Sequence, residues 1–199
     1  MSHLCCLAAL MYVLTGGPSV GKTSIIKELE KQGEPVIHEA ATDWIASRLE
    51  KGIEKFWEED DLNYRILKLQ LEREEPFLSK NGRVFTDRGI FDGHAYVMRS
   101  NLAGTHTLSL VNEALEGIDL NKRYAAIFYI LPYQEDFTPT ITEIRRENLQ
   151  EARELQAALY AIYSRHKQFI IVPGNMTSEE RAHFILKHLR GEKDDKGKT

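Results

Sequence analysis

Cysteine is almost missing from this chain. Its 199 residues hold two, Cys5 and Cys6, and they are neighbours. One adjacent pair builds no disulfide framework, which suits a reducing cytoplasm as the compartment. An excess of positive charge is also lacking. With 26 Lys and Arg against 30 Asp and Glu, the formal net charge is −4, and no global field draws the chain to nucleic acid or to an anionic membrane. The apolar run from Leu4 to Leu14 has eleven residues, too few to cross a bilayer, and lacks the basic start of a secretory signal. No transmembrane segment is therefore expected. His183 and His188 are five residues apart and do not share a helical face, so no zinc site is expected either. Without repeats or linkers, and at 42% hydrophobic, the chain reads as a single domain over residues 1–190. The charged tail 191–199 (GEKDDKGKT) reads as disordered.

What is present is the stretch Thr15 to Ser24, TGGPSVGKTS, in which Gly16 and four residues precede Gly21-Lys22-Thr23. Glycines at both ends let the backbone fold into a concave nest. Its N–H groups converge on a phosphate at the positive N-terminus of the following helix. The spacing assigns triphosphate contacts to Gly16, Gly17, Pro18, Ser19, Val20, Gly21, Lys22, Thr23 and Ser24. Lys22 would reach the β- and γ-phosphates, and the Thr23 hydroxyl would ligate Mg²⁺. The context agrees: Leu10 to Leu14 (LMYVL) reads as a strand before the loop, and Thr23 to Gln32 as a helix after it.

Further strands are expected at Pro35 to His38, Arg83 to Asp87, Tyr124 to Leu131 and Phe169 to Val172. The strands at Arg83 and Tyr124 belong inside the sheet. Helices are expected over Ala41 to Lys51, stopped by Gly52, and over Asp60 to Lys80, with Leu62, Ile66, Leu69 and Arg73 on related turns. Asn148 with Glu151, and Thr177 with Glu180, have the spacing of capping boxes that open two more. Ala152, Leu155, Leu159 and Ile162 mark the buried stripe of the first, and Phe184, Ile185 and Leu189 that of the second. Strands alternating with helices predict an α/β, doubly wound, mainly parallel five-stranded sheet with its ligand at the strands' carboxyl ends. Glu39, Asp87 and the loop after Val172, with Gly174 and Asn175, then share a mouth with the phosphate loop.

Asp87-Arg88-Gly89 closes its strand with a carboxylate able to hold a metal or its waters and a guanidinium able to neutralise charge on a transferred phosphoryl group. Two readings fit Glu39: a base for an acceptor hydroxyl or an attacking water, and an acid favouring the N-terminus of the next helix. Asp92 divides equally between a site role and helix capping. The long segment Pro132 to Arg146 ends in Arg145-Arg146, a pair suited to closing over phosphates or to solvated pairing with Glu143 or Glu147. Trp44, Phe56 and Trp57 suit core packing first and stacking on a planar acceptor second.

Taken in order, TGGPSVGKTS, PVIHEAA, DRG with FDGHAY, and the late Arg-containing segment before SEERAHFIL resemble the AAA-type small P-loop domains related to NadR-type ribosylnicotinamide kinases. The resemblance runs from Met11 to Leu189. It implies a nucleoside-monophosphate-kinase-like fold, with phosphate, base and magnesium roles falling on Lys22, Thr23, Glu39, Asp87, Arg88 and Arg145. Where that family usually has a basic residue after the alanines, this sequence has Thr42. The expected activity is Mg²⁺-dependent transfer of the γ-phosphoryl group of ATP or GTP to a small hydroxyl acceptor such as a nucleoside. A regulatory NTPase switch acting through a protein or lipid partner is the alternative. Asn121-Lys122-Arg123-Tyr124 lacks the aspartate of a guanine-reading motif, and no strand ends in the Asp-Glu of a mechanical AAA⁺ motor.

Overall fold

The computed structural model describes residues 10–59, 61–99, 105–133 and 147–191. Arg145 and Arg146, the Cys5-Cys6 pair and the tail from residue 192 onward lie outside the described residues. The elements run β1 (Leu10–Thr15), α1 (Lys22–Lys31), β2 (Val36–Ile37), α2 (Ala40–Glu50), a single 3₁₀ turn (Phe56–Glu58), α3 (Leu62–Leu78), β3 (Arg83–Asp87), α4 (Asp92–Arg99), α5 (Thr105–Leu115), α6 (Leu120–Arg123), β4 (Ala126–Ile130), α7 (Leu149–Tyr163), β5 (Phe169–Val172) and α8 (Ser178–Leu189). Five strands form one parallel sheet in the order β2-β3-β1-β4-β5, which is the expected doubly wound α/β architecture.

Burial explains which strands are central. Every residue of β4 is buried, as are all of β1 but Leu10 and all of β3 but Arg83. Side chains alternate between the two faces, so each face has its own core. Met11, Val13, Val84 and Ile127 pack with Leu67, Val97, Leu159 and Tyr163 on one side. Tyr12, Leu14, Phe85 and Phe128 pack with Ile25, Leu29, Ala182 and Ile185 on the other. β5 is an edge strand, and Ile171 on it is exposed.

Both capping boxes are present, with the Asn148 and Thr177 side chains each accepting from the backbone N–H three residues on. Several expectations need correction. On α7 and α8, Ile162, Phe184 and Leu189 are only partly buried, and Tyr163, Ala182 and Leu186 complete the buried stripes instead. The second strand shortens to Val36–Ile37, because the His38 carbonyl turns away to accept from Arg73 Nη1 at 3.0 Å. The buried stripe of α3 is Leu67, Gln70 and Glu74 rather than Leu62, Ile66, Leu69 and Arg73. Gln70 and Glu74 on that stripe are polar because they face other polar groups, so counting apolar residues alone set the stripe one residue early. Helices α4, α5 and α6 had no counterpart among the sequence expectations.

Candidate active site

The phosphate loop joins β1 to α1 at the carboxyl end of the sheet. Gly16 (φ 143°), Ser19 (φ 58°) and Gly21 (φ 93°) all have positive φ. A Cβ at Gly16 would stand 2.7 Å from the Ile130 carbonyl oxygen, so the spacing of the motif has a steric reason here. Lys22 folds back over the loop, its Nζ donating to the carbonyls of Gly16 (2.9 Å) and Gly17 (2.7 Å). Burial first, and the charge of Arg88 second, lower its pKa to about 7. From α7, the Gln156 side chain accepts from the Gly17 N–H and donates to the Ile130 carbonyl at 3.1 Å. From α8, the Arg181 guanidinium donates to the carbonyls of Val20 and Gly174, each at 2.8 Å. The ring of Tyr133 covers Gly21, where a Cβ would come within 3.0 Å of it.

At the end of β3, the Thr23 hydroxyl donates to Asp87 Oδ2 at 2.7 Å, while Asp87 Oδ1 is buried with no hydrogen-bond partner. Burial, with the Glu39 charge behind it, raises the Asp87 pKa. An orphaned carboxylate oxygen beside a hydroxyl is a donor set that fits a hard cation such as Mg²⁺. Among the described residues no three His, Cys, Asp or Glu side chains cluster as a metal site of their own. His188 packs its ring on Phe128 and Phe184 instead.

Arg88 follows in the left-handed region, φ 76°, which is costly for a residue with a Cβ and calls for restraint from its surroundings. That restraint is dense. Its carbonyl accepts from Thr86 Oγ1 (2.7 Å) and Gln70 Nε2 (3.3 Å), and the next two N–H groups go to Asp92 Oδ2 (3.1 Å) and Tyr124 Oη (2.8 Å). Gln70 and Tyr124 are themselves held by the fully buried Glu74, which pairs with Arg123 at 2.8 Å. The guanidinium donates to Glu39 Oε1 and to Asp92 Oδ1 (3.2 Å), and it lies over the ring of Tyr96. Glu39 also accepts from Thr42 Oγ1 at 2.9 Å. Thr42 thus steadies the glutamate where a basic residue had been expected by resemblance. Although Glu39 occupies the N-cap position of α2, its side chain makes no capping hydrogen bond. Asp92 is a hub, accepting additionally from Thr15 and from Tyr163 Oη at 2.6 Å.

Beside the loop opens a cavity of about 190 Å³. Pro18 of the loop, Glu39 and Arg88 line its wall, together with the apolar Ile45, Phe56, Trp57 and Ile66 and with Tyr96 and Glu147. One oxygen of Glu147 is buried without a hydrogen-bond partner. Of the three aromatics singled out in the sequence, Phe56 and Trp57 pack edge to face and line this cavity, while Trp44 lies under the Arg48 guanidinium instead.

The structure therefore brings together Lys22, Thr23, Glu39, Asp87 and Arg88, all placed from sequence. Gly174 approaches the Pro132 carbonyl so closely that a Cβ there would collide with it, and Asn175 is exposed on the same loop. Arg145 lies outside the described residues. Sequence reasoning missed Gln156, Arg181, Glu74, Gln70, Tyr124 and Glu147. For two of them a signal existed: Arg181 lies one turn before Ile185 on the apolar stripe of α8, and Glu74 lies two turns after the apolar Leu67 on the buried face of α3. A charge on an apolar stripe marks a buried partner.

No curated protein matches the chain in sequence. Among solved structures, a NadR protein in complex with NAD and AMP-PNP aligns with a TM-score of 0.65 at 16% identity, over 96% of this chain and 52% of that one. The chain thus spans about half the length of that relative. A deoxyadenosine kinase from M. mycoides aligns with a TM-score of 0.63 at 13% identity, over 92% of this chain and all of the other. At such identities the likeness concerns the fold, which is that of P-loop kinases. A profile of the AAA domain family matches residues 11–181, and the chain belongs to that family of P-loop domains.

Proposed function

We propose that the protein transfers the γ-phosphoryl group of ATP or GTP to a hydroxyl of a small acceptor, such as a nucleoside, held in the cavity beside the phosphate loop. The observation that carries this reading is the shared wall: Pro18 of the loop, Glu39 and Arg88 all border one cavity of about 190 Å³. A protein that only hydrolyses a nucleotide needs no second chamber walled by aromatic rings.

In this reading the loop and Lys22 hold the triphosphate, with the base near Gly174 and Asn175. Thr23 and Asp87 would hold Mg²⁺, which supplies charge neutralisation at the β- and γ-phosphates. Glu39 accepts the proton of the acceptor hydroxyl as its oxygen bonds to the γ-phosphorus, and the bond from that phosphorus to the bridging oxygen breaks to release the diphosphate. Arg88 neutralises charge spreading over the phosphoryl oxygens, and its grip on Glu39 keeps the base aimed. Arg145 would reach the phosphates from the segment after β4. The aromatic wall excludes water, so the phosphoryl group goes to the bound hydroxyl.

The test is incubation of the purified protein with Mg²⁺ and ATP or GTP, alone and with a panel of nucleosides. A phosphorylated acceptor detected by mass spectrometry, with nucleotide consumption stimulated by that acceptor, is the expected result. Phosphate release at one rate with and without every acceptor would overturn the kinase reading in favour of a regulatory NTPase switch.

A further inference from the structure

Arg181 is fully buried, yet it has no carboxylate partner among the described residues. Its Nε is buried with no hydrogen-bond partner, its other nitrogens reach only backbone carbonyls, and the ring of Tyr133 stacks on it at 3.9 Å. The other well-buried arginines among the described residues are compensated: Arg88 by Glu39 and Asp92, and Arg123 by Glu74. A buried cation left uncompensated is expensive, and such a charge persists where a ligand completes it.

Its hydrogen bonds indicate the ligand. Arg181 holds the Val20 carbonyl from outside the phosphate loop, at 2.8 Å. In a planar trans peptide the C=O and N–H point in opposite directions, so fixing the Val20 carbonyl on the outer side turns the Gly21 N–H toward the inner, concave side. The second arm holds Gly174, tying the loop after β5 to the same point. Residues 161 positions apart thus set the orientation of one peptide in the nest.

Resting on the reading of this loop as a triphosphate site, we infer that Arg181 is its positioning residue and its hidden counter-charge: from behind the loop it orients the Val20–Gly21 peptide, and the phosphates of the bound nucleotide supply the negative charge that the described residues lack there. It touches no reacting atom.

The experiment uses the full chain with Mg²⁺, titrated by calorimetry with ATP, GTP and inorganic tripolyphosphate at several salt concentrations, in wild type, Arg181→Lys, Arg181→Met and Lys22→Ala. Arg181→Met is expected to weaken tripolyphosphate and the bound nucleotide at least tenfold and to flatten the dependence of affinity on salt. Arg181→Lys keeps the charge but cannot grip both carbonyls, so it loses less affinity and keeps the salt slope. A merely structural role would lower the melting temperature of Arg181→Met and leave the tripolyphosphate-induced shift unchanged, and that result overturns the inference. Should Arg181→Met fail to fold, Arg181→Lys decides, with wild-type affinity refuting the role. Loss of binding in Lys22→Ala with full binding in Arg181→Met sinks this inference alone; no binding by the wild type sinks the donor-site reading and this inference with it.

Discussion

Replacing Glu39 by Gln separates its observed grip on Arg88 from its proposed role as a base. Glu39 props the Arg88 guanidinium and is steadied by the Thr42 hydroxyl, and it borders the cavity. The amide keeps the shape: its oxygen still accepts from Arg88, and its NH₂ can donate to Thr42. What disappears is the charge. A charge-assisted hydrogen bond contributes roughly 1.5–3 kcal/mol and a neutral one roughly 0.5–1.5, so the loss is about 1–1.5 kcal/mol. That lies well below the roughly 3–5 kcal/mol for a buried charge stripped of every partner, because Arg88 keeps Asp92 at 3.2 Å. For a chain of this length the melting temperature then falls by about 2–6 °C. Loss of a general base costs turnover about 10²- to 10⁴-fold, or about 2.7–5.4 kcal/mol of barrier, more than the stability loss can account for. The assays are a thermal melt and steady-state turnover with any productive acceptor, together with nucleotide affinity, which stays near wild type. Near-wild-type turnover alongside the expected melt would refute Glu39 as the base and leave it a prop for Arg88.

Lys22 couples nucleotide binding to pH. Its free-protein pKa of about 7 rises when phosphates arrive, so affinity is fully present below that value and falls as pH rises through the range above it, by at most about tenfold per unit. Calorimetry in buffers of different ionisation enthalpy should show proton uptake on binding at pH 8 to 9, and proton release would contradict it; Lys22→Ala should abolish the uptake and weaken binding. Asp87→Asn and Thr23→Ala should each raise the Mg²⁺ concentration needed for half-maximal nucleotide binding, an effect that vanishes in EDTA if the metal role is right. Gly89→Ala places a Cβ 2.6 Å from Tyr163 Oη and 2.9 Å from Tyr124 Oη, both held by buried carboxylates. Displacing them should cost about 1–3 kcal/mol in chemical denaturation, and an unchanged midpoint would show that the Asp-Arg-Gly turn is not pinned as described.

The sequence alone determined the features whose cause is local. The glycine spacing at Gly16 and Gly21, the capping boxes at Asn148 and Thr177, and the apolar runs of β1, β3 and β4 each depend on residues within a few positions of one another, so pattern and structure coincide. That locality also placed Lys22, Thr23 and Asp87 correctly at one end of the sheet. Glu39 was legible as a site residue at the start of α2, but not that Arg88, 49 positions away, holds its carboxylate. Tertiary structure alone decided the strand order and the chamber beside the loop. It also decided the partners of Gln70, Glu74, Gln156 and Arg181, whose contacts join elements far apart along the chain. The reason is physical: a buried polar group is fixed by whichever distant donor or acceptor the packing brings to it, and hydrophobic periodicity carries no record of that partner beyond an ill-fitting charge on an apolar stripe.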